Sequence, residues 1–377
     1  MGKGRRSVAV IGGGAGGLCA AIAAAEVGAQ VTVYERSNRV GKKLLKTGNG
    51  RCNLSHDPVT PEDYNRPDFV ESVLSRWDNA ALLDFFRSLG LYTVKDGEGR
   101  CYPLSDTASS VLDVLRLRCQ ALGVEEQCSM ELRSLGQRRG RWVLRFTEGQ
   151  EAECDRVIVA GGGGTALLKE AGHRMVPFSP ILCPLKTDTA PIRGLSGLRC
   201  RCRVTLLRDG RRIYAESGEI LFRDYGVSGI VILNLSRLAR KGDVLSVNLL
   251  PDWDEAQIQA MLAERKGRGS EMFTGVFHRR IGEAILRNAG SEDSAALYAA
   301  VTALRLRVED TADAANAQVT RGGAAVDEFD SATLESRLRQ GLYCIGEALD
   351  IDGKCGGYNL HWAFASGLTA GRSAAND

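Results

Sequence analysis

The chain opens with a short apolar run, Ser7 to Ile11, that reads as a strand buried on both faces. A glycine-rich turn follows, then an alanine-rich helix through Glu26, then "AQVTVYE" as a second strand. Together they form one βαβ unit of about thirty residues. "VGKKLLKTGNGRCNLSH" then reads as a polar loop, because Gly48-Asn49-Gly50 is a turn signal. Asp106 or Ser105 is placed to cap a helix running through Leu122, with Val111, Leu112, Leu115 and Cys119 facing inward. Three short strands come next: around Leu132, in "RWVLRF", and in the run ending "DRVIVAGGGG". The glycines at 161–164 fit either a close approach to a ligand or a sharp turn.

Near Thr187 the texture changes. "LRCRCRVTLLRDGRRIYAESGEILFR" alternates, with turns expected at Asp209-Gly210 and Ser217-Gly218, so it reads as antiparallel hairpins. "YGVSGIVILNLSR" and "VLSVNLL" extend this β region. Between Asp254 and Arg307 the pattern turns helical, with Ile258, Met261, Leu262, Ile281, Ile285 and Leu286 as its apolar positions. From Ala315 the β character returns, in "AQVTRGGAAVDEF" and "GLYCIGEAL". A last helix carries Leu360, Ala363, Phe364, Gly367 and Leu368 on one face. The expected architecture is a discontinuous α/β domain, 1–186 and 317–377, holding an inserted β-rich and helical domain at 187–316.

Composition narrows the field. The chain has 377 residues, 44% hydrophobic and 25% charged, with a net charge of +3 and none of the strong basicity of a dedicated nucleic-acid binder. Its 11 cysteines include no CxxC pair, and its 4 histidines have no metal-ligand rhythm, so no metal is expected. Cys200 and Cys202, as alternate strand residues, point the same way and bridge poorly, so the cysteines read as reduced thiols of a cytoplasmic protein. Lys3, Arg5 and Arg6 before an apolar stretch imitate a secretory signal, but glycines at 12, 13, 14, 16 and 17 are foreign to a helical signal core. No stretch is apolar enough for long enough to span a bilayer, and no membrane partner is expected.

The first chemical motif is G-x-G-x-x-G at Gly12, Gly14 and Gly17, with strand before it, helix after it, and Glu35 ending the second strand. Gly12 permits the tight turn, Gly14 lets backbone approach a pyrophosphate, and Gly17 lets the helix lie close to the strand. Glu35 is placed to accept hydrogen bonds from ribose hydroxyls. The second motif is "GGYNLHWAFASG", a glycine turn at Gly356-Gly357 that opens the last helix and presents unpaired N–H groups to an anion or a polarised oxygen. The same turn could also serve only as a tight lead into a packing helix.

"VIGGGAGGLCAA", "VGKKLLKTGNGRCNLS", "GRCYPLSDTASSVLDVL", "VTRGGAAVDEFDSATLESRL" and "GLYCIGEALDIDGKCGGYNLHWAFASG" together resemble the YhiN/BaiN-like family of FAD-dependent oxidoreductases, of the glutathione-reductase type. The resemblance runs from Val8 to Gly371, with one departure: "AGGGGTALLKEAGH" is shorter than the family's corresponding segment. It implies a Rossmann-type FAD-binding domain with an inserted β-barrel-like and helical domain. Gly12, Gly14, Ala15 and Gly17 would meet the pyrophosphate, and Glu35, followed by Arg36, the adenosine ribose. Lys42, Lys43, Arg51, Cys52 and Asn53 would belong to the loop along the cofactor, and Leu132 to the adenine. Gly346 and Glu347 would lie along the ribityl and phosphate part, and Gly357, Tyr358, Asn359 and Leu360 would bring the helix start to the flavin.

The function implied is hydride transfer between FAD and a small organic substrate such as an enone. The chain shows no second complete G-x-G-x-x-G, so NADH or NADPH, the expected reductant, would bind transiently or not at all. The proton donor is unassigned, with Tyr225, His278 and Tyr358 as candidates. Two alternatives differ in class: an RNA-modifying flavoprotein using the arginine-rich hairpins, for which the near-neutral charge is unfavourable, and a flavin-binding redox sensor with Cys52 as reactive thiol.

Overall fold

The computed structural model describes residues 5–161, 165–312 and 319–376, and the chain divides into two units. The first comprises Met1–Ser179 and Thr320–Asp377, the second Pro180–Val319. The boundaries expected at 187 and 316 thus fall a few residues inside the second unit. Leu185–Thr187 shows why at the first edge: it is a barrel strand, and Leu185 is buried in the barrel core.

In the first unit a parallel sheet of five strands forms the centre, in the spatial order Leu342–Cys344, Arg156–Val159, Ser7–Ile11, Gln30–Glu35, Glu125–Cys128. Val8, Val10, Val157, Ile158 and Val159 are buried, as a strand covered on both faces requires. The order reverses beside Ser7–Ile11, whose neighbours lead away on opposite sides; such a switch point leaves a crevice at the carboxyl ends of the strands. The helix Ala15–Glu26 follows the first strand directly and packs along the last helix, Tyr358–Ala375. Their backbones nearly touch. A Cβ on Gly367 would lie 2.3 Å from the Gly16 carbonyl oxygen, and one on Gly371 2.2 Å from that of Ala20.

Several local expectations change. The helix Ala108–Ala121 does bury Val111, Leu112, Leu115 and Cys119, but its cap is Thr107, whose hydroxyl accepts from the Ser109 N–H. Asp106 instead pairs with Arg51. The strands Leu132–Arg138, Arg141–Phe146 and Glu151–Cys154 form a separate antiparallel sheet, while Arg156–Val159 belongs to the central one. The loop after the second strand contains a distorted 3₁₀ segment, Leu44–Gly50, with Leu44 buried and left-handed backbone at Gly48 and Asn49. Pro67–Leu74 and Asn79–Ser88 are helices with no counterpart in the sequence reading; Asp78 caps the second by accepting from the Ala81 N–H at 2.8 Å. Of the glycine run at 161–164, only Gly161 is described; 162–164 lie outside the described residues, as do 315–318 of the expected strand after the helical block.

The second unit is built on a closed six-stranded barrel ordered Leu185–Thr187, Gly226–Ser228, Arg211–Arg223, Arg199–Arg208, Val244–Asn248, Leu304–Thr311. Arg199, Arg201 and Arg203 point outward while Cys202, Val204 and Leu206 fill the core, so the arginine alternation is the solvated side of a hairpin. The turn at Asp209-Gly210 is present, with both residues at positive φ as a two-residue hairpin loop demands. Ser217-Gly218 is no turn; the strand runs straight through it. A Cβ on Gly218 would sit 3.4 Å from Val231, an ordinary contact with the helix Ile230–Ser236 that covers this part of the strand. That helix corrects the strand expected in "IVILNL", because a short apolar run has no period that separates buried helix from buried strand. The helices Glu255–Glu264, Arg279–Ala289 and Ser294–Thr302 occupy the helical block, which ends before the barrel strand Leu304–Thr311.

Candidate cofactor site

The glycines of the first turn do different jobs. Gly12 sits at φ +111 at the end of its strand, and its N–H donates to the Tyr34 carbonyl at 2.8 Å. A Cβ on Gly12 would lie 3.2 Å from the Gly161 nitrogen, so the turn closes against the carboxyl end of the neighbouring strand at the switch point. A Cβ on Gly17 would lie 1.9 Å from the Gly12 carbonyl oxygen, which excludes any side chain. Gly14 is the exception. As N-cap, with φ −85, it has nothing within 4 Å of a Cβ. The space in front of it is open, and the first-turn amides of Ala15, Gly16 and Gly17 lack intrahelical acceptors. No acidic residue in that turn offsets the positive helix end. These residues therefore fit an anionic diphosphate: space, donors and dipole coincide.

Glu35 closes the turn from the other side. One carboxylate oxygen accepts from the Gly13 N–H at 2.9 Å, the other from the Ser37 N–H at 2.8 Å. Each oxygen retains a lone pair, so the group can anchor its own loop and still accept from a diol. Arg36 and Lys42 are exposed. Leu132 is half-buried at the start of its strand, opposite Phe146.

The loop from Val40 is tied to the C-terminal segment. Lys43 forms an ion pair with Glu347. Beside it Gly346, at φ +59, donates its N–H to Ser366 Oγ at 3.1 Å and accepts from Trp362 Nε1 at 3.3 Å. Arg51 lies over the Tyr102 ring at 4.3 Å and pairs with Asp106. Cys52 is fully buried, and burial pushes its thiol up to about 12, against a small opposing effect of Thr47. A thiol held so strongly protonated is a poor nucleophile, which counts against a sensor built on Cys52. Asn53 is buried, and its Oδ1 has no hydrogen-bond partner among the described residues.

At the last helix the glycine turn has an unexpected reason. Gly357 is the N-cap at φ +107, and a Cβ there would lie 2.4 Å from the Ser55 carbonyl oxygen and 2.7 Å from Asn53 Oδ1. What comes close to Gly357 is the protein's own strand Ser55–His56. Asn359 folds its side chain back, accepting from the Gly353 N–H at 2.8 Å and donating to the Gly353 carbonyl at 3.0 Å. The Tyr358 ring stacks on His56 at 4.6 Å, and the Tyr358 carbonyl accepts from Tyr64 Oη at 2.9 Å. The helix start is thus rigidly framed, with the first-turn amides, Asn359 and Leu360 among them, beyond the reach of intrahelical acceptors.

Sequence reading missed His361, Ser55 and Asn79, which join in a buried network under this helix start. The signal was available: a histidine one turn after Gly357, among the buried residues of an otherwise apolar helix face. Of the proton-donor candidates, Tyr358 alone stands at the helix start. Tyr225 is exposed in the barrel unit, and His278 caps the helix Arg279–Ala289 by accepting from the Arg280 N–H at 3.3 Å. Among the described residues no cluster could hold a metal ion, and no helix is long and apolar enough to cross a membrane.

The family model described as "HI0933-like protein Rossmann domain" matches residues 6–373. The chain belongs to the HI0933-like family. Within it, the chain is 36% identical to the 3-dehydro-bile acid delta(4,6)-reductase of Clostridium scindens, over 98% of both chains. It is 27% identical to the ribosomal RNA dihydrouridine synthase of Escherichia coli, over 95% of both. Among solved structures it is similar to a 3-ketosteroid-delta4-(5alpha)-dehydrogenase from Rhodococcus jostii, at TM-score 0.48 and 15% identity, covering 100% of this chain and 98% of that one. As a member of the HI0933-like family the chain is an FAD-dependent oxidoreductase with a Rossmann-type sheet and a separate barrel.

Proposed function

We propose that this oxidoreductase reduces a carbon–carbon double bond conjugated to a carbonyl in a small, largely apolar substrate, with NADH or NADPH as transient reductant. One observation carries the reading: the 36% identity, over 98% of both chains, to a reductase named for a 3-dehydro-bile acid. In this reading Gly12, Gly14, Ala15 and Gly17 hold the diphosphate of FAD, Glu35 and Arg36 flank the ribose, and Leu132 meets the adenine. Lys42, Lys43, Arg51, Cys52, Asn53, Gly346 and Glu347 line the middle of the cofactor, and the amides from Gly357 to Leu360 face the flavin. Bound FAD supplies two-electron hydride chemistry. The helix start supplies fixed donors and a positive dipole end where negative charge develops. Reduction of the conjugated bond also requires a proton at the carbon next to the carbonyl, and Tyr358 is the candidate best placed to supply it.

The ribosomal RNA relative favours a second reading with the same chemistry, since the ring double bond of uracil is also conjugated to a carbonyl. The pairing of Arg199 with Glu219, Arg201 with Asp252 and Arg208 with Asp243 leaves fewer outward cations for an RNA backbone and supports the small-molecule reading. The test follows flavin colour anaerobically. NADH or NADPH should bleach it, and a 3-oxo steroid with a conjugated double bond should restore it while gaining a pair of hydrogens. Reoxidation by unmodified ribosomal RNA, with no response to the steroid, would select the second reading.

A further inference from the structure

The first turn of the last helix is held by a buried polar network whose shortest contacts set the direction of each bond. His361 lies one turn into the helix, fully buried. Its Nε2 is 2.8 Å from the Trp77 carbonyl oxygen, and its Nδ1 is 2.8 Å from Ser55 Oγ. A carbonyl can only accept, so Nε2 carries a proton, and in the neutral ring that burial favours Nδ1 is a bare acceptor. The Ser55 hydroxyl must then donate to Nδ1, which leaves its oxygen to accept from Asn79 Nδ2 at 2.8 Å. Asn79 donates to the His56 carbonyl as well, also at 2.8 Å. Three segments, at 55–56, 77–79 and 361, are thereby locked together. The lock stands beside the close backbone approach where Gly357 meets the Ser55 carbonyl with no room for a side chain.

Packing alone would hold such a helix start less specifically. The contact at Gly357 is smooth, and the long seam with Ala15–Glu26 is made of small residues, Gly16, Ala20, Gly367 and Gly371. Trp362 and Phe364 pack the following turn against Tyr64, Phe69 and Phe86, and the His361 ring adds to that packing one donor and one acceptor, each with a fixed partner.

We propose that His361 is a positioning residue for the cofactor: its neutral ring ties the helix start to the strand Ser55–His56 and so sets where the Tyr358, Asn359 and Leu360 amides point. The inference rests on the FAD reading above for what those amides serve. His361 touches no reacting atom and acts through the helix start. His361→Phe keeps the ring volume and removes both bonds. Ser55→Ala removes the donor to Nδ1 and the acceptor for Asn79 Nδ2, and leaves the bond from Nε2 to the Trp77 carbonyl. His361→Gln retains a donor for the Trp77 carbonyl and serves as the conservative rescue.

The experiment measures three quantities on full-length wild type and variants: FAD affinity by flavin fluorescence, the midpoint potential of the bound flavin, and Tm. His361→Phe should weaken FAD binding about tenfold and lower the preference for reduced over oxidised flavin about tenfold, which reads as about 30 mV for a two-electron couple. Ser55→Ala should shift both quantities the same way by less, and the double variant should be no worse than His361→Phe alone. His361→Gln should recover part of both losses. If His361→Phe does not fold, Ser55→Ala and His361→Gln carry the decision. Variants whose Tm falls while affinity and potential stay at wild-type values overturn the inference and leave the FAD reading standing. A wild-type chain that takes no FAD overturns the FAD reading, and this inference with it.

Discussion

Two helices of the first unit open on glycine, and their glycines serve opposite purposes. At Ala15–Glu26 the N-cap Gly14 faces empty space, with no protein atom within 4 Å of where a side chain would begin. At Tyr358–Ala375 the N-cap Gly357 faces the Ser55 carbonyl at 2.4 Å from the same virtual atom. In sequence both read as places where something approaches backbone closely. Only the first leaves that place open for a ligand; the second has filled it with its own chain. A glycine therefore reports that a side chain is unwelcome, and the surroundings report who excludes it.

The sharpest break of this comparison is to put valine at both caps. Gly357→Val should destabilise the fold by about 3–5 kcal/mol, because overpacking against backbone adds to the strain of a branched residue at positive φ. Chemical denaturation without cofactor reads it. Gly14→Val should leave that stability within error, since its φ of −85 suits valine and the space is free. Equal losses in the two variants would erase the distinction drawn here.

Next in size is the pH dependence of the framed helix start. Burial pushes the His361 ring down to about 4, with the Trp77 carbonyl and Asp78 pulling weakly the other way. The unfolded chain takes a proton near pH 6.5, while the folded ring resists. This stabilisation is complete above pH 6.5 and is lost as the pH falls towards 4, by about 3 kcal/mol in all. The His361 part of this slope should vanish from the His361→Phe variant. His173, buried between Glu328 and Ser336, is shifted downward by the same cause and leaves a residual slope of the same sign.

At the open cap the loss should appear in binding. Gly14→Val should weaken FAD about a hundredfold, or about 2.7 kcal/mol, with apo stability unchanged. Calorimetric titration of FAD into wild type and variant checks both halves. Glu35→Ala should lose about 2 kcal/mol of FAD affinity, as expected for a charged acceptor removed from N–H and hydroxyl donors. Unlike Gly14→Val it should also lower apo stability, because Glu35 holds the Gly13 and Ser37 amides without help from a ligand. The smallest effect belongs to Lys43→Ala. Its ion pair with Glu347 is largely exposed, so less than about 1 kcal/mol should be lost, and added salt should shrink it further.

The first βαβ unit was legible because each of its signals is local. The apolar strand, the spaced glycines and the acid at the end of the next strand all lie within a stretch where period and spacing are set by backbone geometry. The hairpin of the barrel was legible for the same reason, down to its Asp209-Gly210 turn. The helix Ile230–Ser236 was not, since a short apolar run satisfies helix and strand alike until a neighbour covers it. The Thr107 cap and the burial of the Cys52 thiol likewise depend on which atoms stand opposite.

By itself the sequence determined the class of the protein: a dinucleotide-binding α/β unit interrupted by a block of antiparallel hairpins and helices. Periodicity and spacing encode these features because they propagate along the backbone. Only the tertiary structure decided that Gly14 is open and Gly357 closed, and that Glu35 braces its own turn. It also decided that His361, Ser55, Trp77 and Asn79 form one satisfied network, by bringing together groups some 300 residues apart. Hydrogen-bond partners and steric exclusion act across a few ångströms of space, and separation along the chain says nothing about them.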